Sequence, residues 1–183
     1  MPTSPIQLLY ASTSGNTETV MEAVAAQLEQ RGVRTHLQRA EQTPIEVVAQ
    51  NQWFVFGTST WEHGALNPFF VQLLKGIKTT DCQGKVAAFL GCGDRRYEPV
   101  LFCEGIEIVK RVWLAQQGVA LGETLKIQGE AYGILDTVVK PWADRVAEQF
   151  LGLTTSDSNP PLEPGARTQN QNLTQKIHHL FKL

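Results

Sequence analysis

The chain has 183 residues, 42% of them hydrophobic, and a net charge of −2, which is material for one soluble domain with a substantial core. Its apolar runs are only a few residues long and its cations form no stripe, which excludes a membrane-spanning helix and a nucleic-acid surface. Three cysteines (Cys82, Cys92 and Cys103) without a CxxC pair suggest neither a disulfide framework nor a zinc site.

Residues 1–5 lack the charged and apolar regions of a secretory signal, so a cytoplasmic location is expected. Ile6 to Ala11 then reads as a short buried strand. Val20, Met21, Val24, Ala25 and Leu28 recur at helical spacing, so a helix is expected from Asn16 to Arg31, stopped by Gly32. Between strand and helix lies a loop of Ser12, Thr13, Ser14, Gly15, Asn16 and Thr17. Four hydroxyls, an amide and free backbone N–H groups converge there, beside the positive end of a helix dipole. The loop has no Lys for a Walker motif and a single Gly where the dinucleotide fingerprint needs three. Alone it reads equally as a cradle for one phosphate monoester, built without a cation, and as a Ser/Thr-rich turn that caps a helix.

Val33 to Gln38 alternates as a second strand, and Pro44 opens a short helix. Trp53 to Gly57 is a third strand, apolar on both faces. A second polar loop follows, Thr58-Ser59-Thr60-Trp61-Glu62-His63-Gly64, and then a helix from Pro68 to Lys75 with Phe69, Phe70, Leu73 and Leu74 expected inward. Lys85 to Gly91 is the fourth strand, and a third loop runs from Cys92 to Cys103. A helix from Glu104 to Gln117, an interrupted last strand (119–121 and 124–127) and a closing helix from Leu135 to Phe150 complete the pattern. Val138 is among the apolar residues of that closing helix. The alternation implies a doubly wound α/β sandwich: a five-stranded parallel sheet, order 2-1-3-4-5, with helices on both faces. The three loops would then meet at one crevice around the switch point. Residues 1–152 form the expected domain; 153–183 read as a polar linker and a short amphipathic tail.

Trp61 and Tyr97 each bring an aromatic ring to that rim. Singly, one reads as a core Trp and the other as an ordinary Tyr; together with the phosphate loop they suit a mononucleotide with a large flat base.

At this point the chain resembles a flavodoxin of the short type over residues 5–152. STSGNTE resembles the family's phosphate loop, TSTWEHG its second loop, GCGDRRYEPVLFCEG its third, and GETLKIQG its last strand. The resemblance implies non-covalent FMN and one-electron transfer between redox partner proteins, a reductase and an acceptor, by an expected monomer. By position, Ser12 to Thr17 would hold the phosphate, and Trp61 and Tyr97 would flank the ring. Thr58, Ser59, Thr60, Glu62 and Gly64, with Cys92, Gly93 and Asp94, would bond its edge, while Phe102 and Cys103 would close the site. Asp94 has the alternative of a turn-capping residue, and the cysteines would pack rather than react. Two departures bear on the flavin: Arg95-Arg96 stand where small or acidic residues are usual, and Glu62 replaces the usual Gly after the loop Trp, where a side chain makes positive φ costly. The competing readings are an FMN-dependent quinone or flavin reductase, betrayed by direct NADH or NADPH turnover, and a flavin-free partner-binding module, betrayed by lack of colour.

Overall fold

A computed structural model of the chain describes residues 4–96 and 101–155. Its sheet contains β1 (Ile6–Ala11), flanked by β2 (Thr35–Arg39) on one side and by β3 (Trp53–Ser59), the central strand, on the other. β4 (Val86–Gly93) follows, and its outer edge carries two short strands in turn, β5 (Val119–Ala120) and β6 (Leu125–Gln128). All pairings are parallel, in the order 2-1-3-4-5, with β6 continuing the fifth position. The interruption expected in the last strand is thus a true break; Gly122, at φ +63, turns the chain between the two pieces.

Alternate residues of β1, β3 and β4 face opposite sides, and both sides are buried. Leu8, Val55 and Leu90 pack against α1 (Asn16–Gln30) and α5 (Lys140–Thr155). Leu9, Phe54, Phe56 and Phe89 pack against the layer of α2 (Ile45–Gln50), α3 (Val71–Ile77) and α4 (Glu104–Ala115). Trp113 of α4 is fully buried there, with its ring centroid 5.4 Å from that of Phe54 and 5.2 Å from that of Phe56, and its indole N–H bonded to Val119 O at 3.0 Å. No helix among the described residues is long and apolar enough to cross a membrane.

Three local expectations need correction. Phe69 is 42% exposed, because Pro68–Phe70 forms a tight 3-10 turn capped by Asn67, which rotates Phe69 outward and Phe70 inward before α3 begins. The closing helix starts with a wide π turn at Leu135–Val139, which leaves Val138 at the surface while Val139 is buried. α5 runs to Thr155, and Leu153 is buried, so the closing helix outlasts its expected end at Phe150. The tail expected beyond it, from 156 onward, lies outside the described residues.

Candidate functional site

The ends of β1, β3 and β4 lie side by side, so the loops that follow them share one rim of the sheet. At the first, Gly15 sits in the left-handed region (φ +88), which only Gly adopts at no cost, and turns the chain into α1. Its N–H donates to Ser12 Oγ at 3.1 Å, which closes the loop on itself. No side chain among the described residues caps α1. The helix therefore presents its first-turn N–H groups without a side-chain acceptor, and the simple capped-turn reading does not apply. Thr17 is buried, and its Oγ1 has no hydrogen-bond partner among the described residues beyond the weakly bonding Cys92 thiol beside it. An orphaned hydroxyl in a helix's first turn, beside uncapped N–H groups, fits an anionic ligand. Ser14 is exposed beside it.

The remaining loop side chains connect the rim. Thr13 Oγ1 accepts from Trp61 Nε1 at 3.2 Å and from Asn67 Nδ2 at 3.0 Å. Asn16 turns away from the loop: its Nδ2 donates to Gly129 O at 2.9 Å, and its Oδ1 accepts from Ala131 N at 2.9 Å. Its amide thus clasps the segment after β6, and only its backbone N–H is left for a ligand.

In the second loop Thr58 is fully buried, its hydroxyl turned to Ser59 O, and Ser59 Oγ accepts from Asn67 at 2.7 Å. Thr60 Oγ1 accepts the Gly105 N–H at 3.0 Å, which ties the loop to the start of α4. That approach needs a glycine, since a Cβ on Gly105 would lie 2.9 Å from Ser59 O. Positive φ falls on His63 (+54) and Gly64 (+76), not on Glu62. Gly64 is buried beneath Leu101.

Trp61 is 42% exposed and forms one wall of a cleft of about 520 Å³ with Thr60, Glu62, His63, Asp94, Leu101, Phe102 and Cys103. The second and third loops, some forty residues apart in sequence, thus meet over one hollow. Thr58, Ser59, Gly64, Cys92 and Gly93 lie behind this wall rather than on it. Tyr97 lies outside the described residues.

Asp94 takes the turn-capping alternative. Its Oδ1 accepts the Arg96 N–H at 2.9 Å and Gln128 Nε2 at 2.9 Å, and both its oxygens accept Arg96 Nε at 3.0 Å. The Arg96 guanidinium beside it holds its carboxyl well below the usual carboxylate range. Arg95 stacks its guanidinium 4.3 Å from the centre of the Phe102 ring. Burial pushes the Cys92 thiol up to about 11 and the Cys103 thiol up to about 12, so both stay protonated and unreactive at neutral pH.

Three participants escaped sequence reasoning. Asn67 is fully buried and joins the first two loops; its one sequence signal is the Asn-Pro step that caps the following turn. Gln128 accepts the Arg95 N–H at 2.9 Å and bonds Asp94, and nothing in the sequence marks it. Arg39, at the end of β2, donates to Ser12 O at 2.8 Å, so a cation does reach the first loop, from a strand rather than from the loop itself.

Known proteins are similar to this chain. A flavodoxin from Maridesulfovibrio salexigens is 30% identical over 146 residues, covering 78% of this chain and 97% of its own. The crystal structure of oxidised flavodoxin 2 from Bacillus cereus superposes with a TM-score of 0.75 at 28% identity, over 80% of this chain and all of that one. The fold is shared with a Fusobacterium nucleatum flavodoxin bound to flavin mononucleotide (TM-score 0.67, 16% identity, 79% of this chain and 97% of that one). With the family pattern described as Flavodoxin matched over residues 8–142, the chain belongs to the flavodoxin family of FMN-binding electron carriers.

Proposed function

We propose that the chain takes single electrons from a reductase and hands them to an acceptor enzyme, as a cytoplasmic monomer with FMN held at the rim described above. The observation that carries this reading is the Trp61 indole, which walls the cleft on one side and donates to Thr13 of the phosphate loop on the other. One side chain thereby joins a hollow of about 520 Å³ to a candidate anion cradle. The orphaned Thr17 hydroxyl and the uncapped start of α1 suit a terminal phosphate.

FMN, when bound, supplies the one-electron chemistry. The chain's part is to bind and orient. Ser12, Thr13, Ser14, Gly15, Asn16 and Thr17 form the cradle: Thr17 and Ser14 offer hydroxyls, Asn16 a backbone N–H, and Ser12, Thr13 and Gly15 keep the loop in shape. Trp61 walls one face of the ring, and Tyr97 is the residue the sequence offers for the other. Thr60, Glu62 and Asp94 lie along its edge, while Phe102 and Cys103 exclude water from the floor. Thr58, Ser59, Gly64, Cys92 and Gly93 support those walls from behind. No residue is asked to move a proton, and none on the cleft needs to.

The test is reconstitution with FMN followed by assay with a one-electron acceptor such as cytochrome c. Reduction of the acceptor by NADPH is expected only when a flavoprotein reductase is added. NADPH oxidation by the reconstituted chain alone would instead make it a reductase, and a chain that takes up no flavin would be neither.

A further inference from the structure

Arg39 closes β2, in register with Tyr10 of β1, and all three of its guanidinium nitrogens are engaged. Nη2 donates to Ser12 O at 2.8 Å; Nη1 lies 3.3 Å from each oxygen of Glu18; Nε donates to Glu41 Oε1 at 2.6 Å. The guanidinium carbon sits 5.6 Å from the centre of the Tyr10 ring, and the Tyr10 hydroxyl donates to the same Glu18 carboxylate. Glu18 belongs to the first turn of α1, directly after Thr17.

Two consequences follow from elementary geometry and charge. A trans peptide is planar, so its C=O and N–H point in opposite directions. Anchoring Ser12 O on Arg39 therefore turns the Thr13 N–H away from Arg39, on the side of the loop opposite the guanidinium. The second concerns Glu18. A carboxylate in the first turn suits the helix dipole but repels a second anion brought to the same helix end. Arg39 and the Tyr10 hydroxyl hold it aside and offset its charge.

We propose that Arg39 is a positioning residue for the phosphate loop, and that it gives the site its preference for a flavin carrying a phosphate over the same ring without one. The proposal rests on the FMN reading. It does not make Arg39 a phosphate ligand: its nitrogens are committed to a carbonyl and two carboxylates, and it acts through Ser12 and Glu18.

Titration of the flavin-stripped protein with FMN and with riboflavin, followed by quenching of flavin fluorescence, tests it. Arg39→Gln is expected to weaken FMN about tenfold and to leave riboflavin within about twofold, since one charge-assisted bond and one neutralised carboxylate are lost at the phosphate end alone. Adding Glu18→Gln to that variant removes the bare carboxylate and should recover about threefold of the FMN loss. Equal weakening of both flavins would mean that Arg39 is merely structural and would overturn the proposal, as would unchanged FMN affinity. Should Arg39→Gln fail to fold, Arg39→Lys keeps the charge but not the fork, and the same selective loss of FMN is required of it. Wild-type protein that binds neither flavin would defeat the FMN reading itself; wild type that binds FMN beside a non-selective variant defeats only the role of Arg39.

Discussion

A single buried hydroxyl makes the sharpest prediction. Thr17 Oγ1 carries the cost of burial with only the weakly bonding Cys92 thiol beside it among the described residues. Thr17→Val keeps the shape and removes the orphan, so the flavin-free protein should gain about 1 kcal/mol while FMN binds about tenfold more weakly. Thermal unfolding and a flavin titration on the same variant check both signs. The thiols give a pH dependence. Burial raises Cys82 and Cys92 to about 11 and Cys103 to about 12, from an ordinary value of 9.0. Burial and the hydrogen bond to Glu18 raise the Tyr10 phenol to about 12 from 10.0. Groups raised in the folded state contribute stability that is complete below their unfolded values and lost as pH climbs through the folded ones. Urea unfolding is therefore expected to show level stability up to about pH 9 and a fall by about pH 11; a flat profile would contradict it.

The elements were largely legible because each stated its period plainly. Val20, Met21, Val24, Ala25 and Leu28 of α1 recur at helical spacing and are buried, and the apolar run of β3 is buried on both faces. What stayed hidden depends on contacts between elements. Phe69 and Phe70 are alike in sequence, and only the tight turn ahead of α3 sends one out and the other in. Asn67 reads as a cap from its neighbour Pro68, but its bonds to Thr13, 54 residues away, have no local signal. The same holds for Arg39, whose spacing from Ser12 reflects the register of β1 on β2 rather than any motif. Because Asn67 fastens two loops at once, Asn67→Ala should cost about 2 kcal/mol of stability by removing a fully buried amide and its bonds to Thr13, Ser59 and the Phe69 N–H. It should also loosen Trp61, read as broader and redder tryptophan emission. An unchanged unfolding midpoint would mean that the cross-link is idle.

On the scale of the whole molecule, charge near the Trp61 cleft separates the two adjacent arginines. The sequence treats Arg95 and Arg96 as equals; in the structure Arg96 is paired with Asp94, whereas Arg95 lies over Phe102, a cleft residue. At about 8 Å and an effective dielectric near ~40, one such cation favours an anionic reduced flavin by roughly 1 kcal/mol, or about 40 mV for one electron. Arg95→Ala should therefore make the second reduction step more negative by tens of millivolts, and Arg96→Ala should move it less. Potentiometry on the two single variants decides it: equal shifts, or a rise with Arg95→Ala, would refute the distinction.

The clasp between Asn16 and the backbone at Gly129 and Ala131 spans more than a hundred residues. It has a consequence for biogenesis. While the ribosome still shields residue 131, the loop that would grip the flavin's phosphate lacks this support, however well its own strand and helix have formed. Cofactor capture is thereby deferred until synthesis has passed the sixth strand. Nascent chains arrested before Gly129 should leave added flavin fluorescent, and chains arrested well beyond α5 should quench it.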